Sequence, residues 1–211
     1  KTDLGHVLEA IKILRKELSE DVALIGFSGA PFTVASYIIE GGPSKDYRHT
    51  KSLMYSDPET WHTFMELISD VLTDYFVSQI DAGAQAVQMF DSWVGMLSPQ
   101  DYQIFILPYS MKMLSAAKAK NVPVLHFGTN TSTLLPLMKT AGSDVIGLDW
   151  RIPLDKGWGI LGDDIAVQGN LDPMALFAPT DVLKTKVKEK DFEYVLEIDW
   201  NKFKSESNIQ K

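Results

Sequence analysis

Cysteine is absent from this chain of 211 residues, and arginine occurs only three times. Without cysteine the chain forms neither disulfides nor thiolate metal sites. Lysine and arginine are outnumbered by aspartate and glutamate, which gives a formal net charge of −8. Because nucleic-acid binding depends on cations that neutralise phosphates, we expect no nucleic-acid partner.

Long hydrophobic runs are also missing. No apolar stretch approaches the roughly 18 residues that cross a bilayer, so we expect no membrane association. The hydrophobic fraction of 45% is enough for a sizeable buried core, and the charged fraction of 23% is typical of globular proteins. With the lack of cysteine, this composition favours a cytoplasmic protein.

Short apolar runs alternate with longer segments of helical period, which is typical of βα units and a parallel sheet. Capping residues before proline mark the starts of the predicted helices, and glycines after the last helical turn mark their ends. The predicted strands are Val22–Phe27, Ala86–Phe90, Val122–Phe127, Val145–Leu148 and Ile165–Gln168. The predicted helices are Leu4–Leu18, Pro31–Glu40, Pro58–Ala82, Pro99–Lys120, Thr131–Thr140, Pro153–Leu161 and Pro179–Lys188, and Gly41–Lys51 is predicted as a mobile loop.

Repeated strand–helix units predict an α/β fold, an incomplete (β/α)8 barrel with parallel strands. Five strands fall short of the eight of a closed barrel, and Phe192–Ile198 is a candidate sixth. An open parallel sheet with helices on both faces is the alternative. In either arrangement ligands bind at the carboxyl ends of the strands.

The segment Gly26–Gly42 joins the first strand to a helix through glycine, serine and proline. Small residues at a strand end let a ligand approach the backbone closely. Tyr37 and Glu40 follow on one face of the helix, just before a Gly-Gly break. The Tyr37 phenol can donate a hydrogen bond to a carboxylate, although it could instead pack against the next helix.

A second candidate site is Phe90-Asp-Ser, where the chain leaves the second strand. We expect Asp91 and Ser92 at the mouth of the sheet, with Phe90 offering an apolar surface to a flat ligand. The alternative is that Ser92 caps a turn and Phe90 fills the core. Of the tryptophans, Trp93 is the one most expected to touch a ligand.

The remaining polar residues at strand ends favour structural roles. His126 has no partner at metal-ligand spacing, so we expect it to be hydrogen-bonded in the barrel wall and predict no metal site. Asp149 and Asp172 end later strands and are expected to orient a loop or to cap the following helix. No P-loop, dinucleotide fingerprint or Ser-His-Asp order is present.

Five of these motifs together resemble the uroporphyrinogen decarboxylase family. They are the Gly26–Gly42 segment and the stretches Gln85–Trp93, Val122–Gly128, Val145–Trp150 and Val167–Pro173, in the family's order and at similar spacing. We therefore divide the chain into residues 1–190, a partial barrel of this type, and residues 191–211, a divergent segment without the family's Asn-Leu-Gly-His-Gly motif.

The resemblance implies decarboxylation of the acetate groups of uroporphyrinogen to give coproporphyrinogen, with no cofactor. It implies substrate contacts by Tyr37, Ser92 and Phe90, and a homodimer. The family's arginines, its aspartate that faces the pyrrole N–H groups, and its C-terminal histidine have no counterpart here, so no catalytic residue is assigned. We expect weak or no activity from this chain alone. The alternative is a non-catalytic assembly domain; related zinc-dependent methyltransferases need cysteine and fit less well.

Overall fold

A computed structural model describes residues 4 to 188, in which strands and helices alternate. The helices are α1 (Gly5–Glu17), α2 (Pro31–Glu40), α3 (Arg48–Ser56), α4 (Pro58–Asp81), α5 (Pro99–Phe105), α6 (Leu107–Lys118), α7 (Leu135–Ala141), α8 (Leu154–Leu161) and α9 (Thr180–Lys188). The strands are β1 (Ile25–Gly29), β2 (Ala86–Asp91), β3 (Val124–Gly128), β4 (Val145–Gly147) and β5 (Ala166–Gln168). Short 3₁₀ helices cover Val94–Met96 and Pro173–Phe177.

The five described strands form one parallel sheet in the order β1-β2-β3-β4-β5. Each strand is thus paired with the next strand along the chain. A doubly wound sheet reverses its strand order at a switch point, whereas a barrel keeps sequential order. The observed order confirms the predicted partial barrel over the open-sheet alternative.

Local sequence accounts for most element boundaries. Asp57 accepts a hydrogen bond from Thr60 N (3.1 Å) and starts α4 ahead of Pro58. Ser98 does the same for Asp101 N (3.1 Å) at α5. These caps satisfy N–H groups that lack a partner in the first helical turn.

Three predictions of local structure need correction. The helix predicted from Thr131 begins only at Leu135. Predicted Pro99–Lys120 is divided into α5 and α6 at Ile106, because Pro108 has no N–H for the bond that would continue the helix. Predicted loop Gly41–Lys51 gives way to α3 at Arg48, so the loop is shorter than expected. The buried residues of α3, Thr50 and Met54, make it part of the packed helix layer. The candidate strand Phe192–Ile198 and the segment 191–211 lie outside the described residues.

The main core lies between the sheet and the helices. Val87, Met89 and Ile146 point toward the helices and have no exposed surface. They join helix residues such as Trp61 and Phe76 in one cluster. In the described part of the chain, none of the helices has both the length and the apolarity to span a membrane.

Candidate ligand site at the carboxyl rim of the sheet

Two cavities open at the carboxyl ends of the strands. The inner cavity, of about 350 Å³, is lined by Gln88, Phe90, Phe127, Leu148, Asp149, Trp150, Gln168, Gly169, Asn170, Leu171 and Pro173. The rim cavity, of about 290 Å³, is lined by Ser44, Lys45, Tyr47, Ser92, Trp93, Gly95, Met96, Thr129, Asn130 and Arg151. Each volume is near the lower end of the range of roughly 300–1,000 Å³ for ligand sites.

The two cavities are neighbours. Asp149 lines the inner cavity and forms an ion pair with Arg151, which lines the rim cavity. Phe90 and Ser92, two residues apart at the end of β2, likewise belong one to each cavity. A ligand larger than either cavity could therefore contact both.

The three predicted site residues lie at this rim. Phe90 lines the inner cavity and Ser92 the rim cavity. Tyr37 lines neither, but it is 45% exposed and its ring centroid lies 6.0 Å from that of Trp93, a rim-cavity residue. Tyr37 and Ser92 thus share one end of the sheet, and their contact with substrate stays a prediction.

Asp91 is not at the mouth, contrary to the prediction. Its side chain has no exposed surface, and its Oδ1 accepts a hydrogen bond from Thr33 Oγ1 at 3.2 Å. Side chains alternate between the two faces of a strand, so a Phe90 that faces the inner cavity sends Asp91 toward the helices.

His126 lies buried in the sheet wall, as expected, but its predicted hydrogen bond is not formed. Nε2 is 3.6 Å from Asp91 Oδ2, beyond hydrogen-bond length, and neither ring nitrogen has another hydrogen-bond partner among the described residues. It faces the helix layer with Asp91, so neither side chain belongs to the cavities.

The structural roles expected for Asp149 and Asp172 are confirmed. Asp149 accepts bonds from the backbone N–H groups of Asn130 and Arg151, the latter at 3.0 Å, and so joins the loops that follow β3 and β4. Asp172 accepts a bond from Met174 N at 2.9 Å and caps the 3₁₀ helix Pro173–Phe177.

Tyr47 is a rim-cavity residue that sequence reasoning missed. Its ring lies 6.2 Å from Phe32 and 6.0 Å from Trp93. Burial raises the pKa of Tyr47 to about 12, and the nearby Tyr37 and Glu40 add to the effect. Its phenol therefore keeps its proton at a pH where an ordinary tyrosine loses it.

Glu40 explains how the Tyr47 loop is held. Its Oε1 accepts hydrogen bonds from Thr50 N (2.9 Å) and Thr50 Oγ1 (2.8 Å), which tie the end of α2 to α3. Burial opposes ionisation of Glu40, but the hydrogen bonds from Thr50 and Ser44 outweigh it and lower the pKa of this carboxyl. The only sequence signal for this contact was Glu40 before the Gly-Gly break.

Comparison with known proteins gives one family. Residues 1–190 match the family model described as uroporphyrinogen decarboxylase (URO-D). The uroporphyrinogen decarboxylase of Carboxydothermus hydrogenoformans is 57% identical over 187 residues, covering 89% of this chain and 53% of that protein. The uroporphyrinogen decarboxylase of Sorangium cellulosum is 54% identical over 185 residues, which cover 88% of this chain and 53% of that protein. The chain therefore spans about half the length of these curated relatives.

Among solved structures, a methyltransferase from Methanosarcina mazei superposes with a TM-score of 0.78. The match covers 90% of this chain and 55% of the methyltransferase chain, with a sequence identity of 22%. At so low an identity the likeness concerns the fold alone, and it agrees with a partial barrel of parallel strands.

Proposed function

The chain belongs to the uroporphyrinogen decarboxylase family, and on that basis we propose that it binds uroporphyrinogen at the carboxyl rim of its sheet for decarboxylation. The family reaction converts four acetate groups of the substrate to methyl groups and gives coproporphyrinogen. In this proposal the inner and rim cavities are part of the cleft that holds the macrocycle.

The convergence of Tyr37, Phe90 and Ser92 on one end of the sheet carries the proposal. They come from two consecutive βα units, and Trp93 connects Tyr37 to the rim cavity. Phenol and serine hydroxyls donate strong hydrogen bonds to carboxylates. A phenylalanine beside them offers an apolar surface to a flat ring.

The proposed chemistry needs no cofactor. Protonation of a pyrrole carbon turns the ring into an electron sink, so the bond to carbon dioxide breaks with its electron pair entering the macrocycle. A second proton then completes the methyl group, and loss of the first proton from the ring carbon restores the pyrrole. Tyr37 and Ser92 would hold carboxylates during these steps, and the proton donors and the charged partner of the pyrrole N–H groups are not assigned to this chain.

The proposal includes a homodimer in the cytoplasm. A dimer is supported by the apolar inner side of β1, where Phe27 is 63% and Ile25 47% exposed. Edge strands and large exposed apolar groups favour association with another protein surface. The same observation supports the second candidate, a non-catalytic assembly domain, in which this surface rather than the cavities is the functional part.

An anaerobic incubation with uroporphyrinogen tests the function. We expect the substrate to bind and coproporphyrinogen to form slowly, with Tyr37→Phe and Ser92→Ala each weakening binding by about tenfold or more because a hydrogen bond to a charged group is lost. Binding is measured by calorimetry, and products by chromatography of the oxidised porphyrins.

Matched controls are Tyr75→Phe on α4 and Ser52→Ala on α3, which remove the same groups away from both cavities. Binding that survives Tyr37→Phe and Ser92→Ala unchanged would contradict the proposed site. No binding by the unaltered chain, together with stable self-association, would favour the assembly domain.

A further inference from the structure

The rim cavity contains positive charge in an acidic protein. Lys45 and Arg151 are among its lining residues, and none of the lining residues in the described part of the chain is acidic. The whole chain has a net charge of −8. Ser92 and Asn130 add neutral donors to the lining, whereas the Thr129 hydroxyl already donates to Ser92 O. Such a lining is suited to an anion, because cations and hydrogen-bond donors both stabilise negative charge.

Arg151 is held in place before any ligand arrives. Its Nη1 donates to Asp149 Oδ2, and its guanidinium carbon lies 4.0 Å from the ring centroid of Trp150. A guanidinium has five N–H donors, so these contacts leave several free. The side chain is 44% exposed, toward the rim cavity that it lines. Pre-ordering lowers the conformational entropy lost when a ligand binds.

Lys45 complements Arg151 from another loop. It is exposed and has no ion-pair partner among residues 4–188. The loop around it is fixed, since Tyr47 N donates to Ser44 Oγ at 3.0 Å. Asp149 offsets much of the Arg151 charge, so Lys45 supplies the uncompensated cation of the cavity.

We propose that Arg151 and Lys45, beside Ser92, form an anion subsite that takes one carboxylate side chain of the ligand and so makes the cleft prefer more highly carboxylated macrocycles. This inference rests on the proposed function. The guanidinium fork donates hydrogen bonds to both oxygens of one carboxylate, and Lys45 adds a point charge from another loop.

The test is a fluorescence titration with two stable oxidised macrocycles, uroporphyrin with eight carboxylates and coproporphyrin with four. We expect the unaltered chain to prefer uroporphyrin. Arg151→Gln should weaken uroporphyrin binding by about tenfold and coproporphyrin binding by less than about threefold. Lys45→Gln should act in the same direction more weakly and reduce the salt dependence of uroporphyrin binding.

Arg48→Gln on α3 is the matched control, because it removes an equal charge from a residue that lines neither cavity. Arg151→Lys keeps the charge and should retain part of the preference. Circular dichroism checks folding, and Lys45→Gln serves as the decisive variant if Arg151→Gln unfolds, since the Lys45 side chain forms no hydrogen bond or ion pair within residues 4–188.

The outcomes separate the two proposals. If the unaltered chain binds neither porphyrin, the proposed function and the subsite both fail. The unaltered chain could bind, while the Arg151 and Lys45 variants weaken uroporphyrin and coproporphyrin binding equally or leave both unchanged. That result would overturn only the subsite. A loss of preference in the Arg48 variant of the same size would also overturn it, because the effect would then be one of overall charge.

Discussion

The two sides of the sheet differ in how completely this chain covers them. On the helix side, Met89 and Val87 are fully buried in a large cluster. On the inner side, Phe27 remains 63% exposed. The buried apolar cluster there consists of Ala86, Leu125 and Val145. The helix layer completes the first surface, whereas nothing in the described residues covers much of the second.

This difference indicates that the helix side mainly stabilises the fold, whereas the inner side is available for binding. Burial of apolar area is the main source of folding free energy, so the helix side should carry most of it. The inner side instead presents a row of aromatic rings, with Phe90 5.9 Å from both Phe27 and Phe127. Gly147 leaves room for Phe127, since a Cβ there would lie 2.6 Å from its ring. Phe27 is exposed and the other two rings are half-buried, so this row can meet a flat ligand.

The largest effect expected from this comparison is on the free energy of unfolding. Met89→Ala should lower it by about 2–5 kcal/mol, because the substitution leaves a cavity in the helix-side core. Phe27→Ala should lower it by less than about 1 kcal/mol, since that ring is largely exposed. Urea denaturation measures both values.

Equal losses for the two variants would show that the inner side is covered in solution, for example by a second copy of the chain. Repeating the denaturation at several protein concentrations distinguishes this case, because dimer stability depends on concentration.

A smaller effect is expected at Gln79, which connects α4 to the edge strand β1. Its Oε1 accepts from Phe27 N at 3.0 Å, and its Nε2 donates to Phe27 O at 2.8 Å. A Cβ on Gly26 would lie 2.9 Å from this Oε1, so the amide depends on glycine there. The Gln79 side chain thus occupies backbone groups at an open sheet edge.

Gln79→Met keeps the volume but removes both bonds, and should destabilise the chain by about 1–3 kcal/mol. Amide hydrogen exchange at Phe27 should accelerate more than exchange in β3. Gln100→Ala, at an exposed position on α5, is the control. Unchanged exchange at Phe27 would mean that the clamp does not protect the edge.

The smallest expected effect appears only at high pH and compares a tyrosine of the helix-side core with one at the rim. Burial, followed by the Asp91 charge, raises the pKa of Tyr102 on the helix side, and burial raises that of Tyr47 at the rim to about 12. An unfolded tyrosine loses its proton near about pH 10. Since the folded pKa is higher, stability from each phenol is present below pH 10 and falls as pH rises.

In the Tyr47→Phe variant, the free energy of unfolding should therefore fall less between about pH 10 and pH 12 than it does in the unaltered chain. In the Tyr102→Phe variant it should fall less still, because Tyr102 is the more deeply buried phenol. Denaturation curves of each variant and the unaltered chain, taken at pH 9 to 12, give the comparison. A steeper alkaline loss in either variant would contradict the stated direction.

Much of the fold followed from local pattern. All five predicted strands exist within three residues at each end, because apolar runs between helical segments mark parallel strands. The α3 helix escaped prediction because Arg48–Ser56 is largely polar and is buried only at Thr50 and Met54. Its formation depends on packing against neighbouring helices rather than on a continuous apolar stripe.

The cavity residues that were predicted lie where a sequence motif ends a strand. The cavity residues that were missed lie on loops that meet only in the folded chain. Phe90 lies at the end of β2 and Ser92 directly follows the strand, so the parallel sheet brings both to the rim. Arg151 and Tyr47 belong to loops after β4 and α2, and only the assembled structure joins them to one cavity. Asp91 was misplaced because one residue along a strand changes the face on which a side chain lies.

By itself the sequence determined the strand–helix repeat, the helix caps and the polar residues available at each strand end, because these depend on neighbours within a few positions. Only the tertiary structure decided that Lys45, Ser92 and Arg151 line a single cavity. The physical reason is that parallel pairing fixes which strand ends are adjacent. The loops then meet according to the register of the sheet, which no local pattern contains.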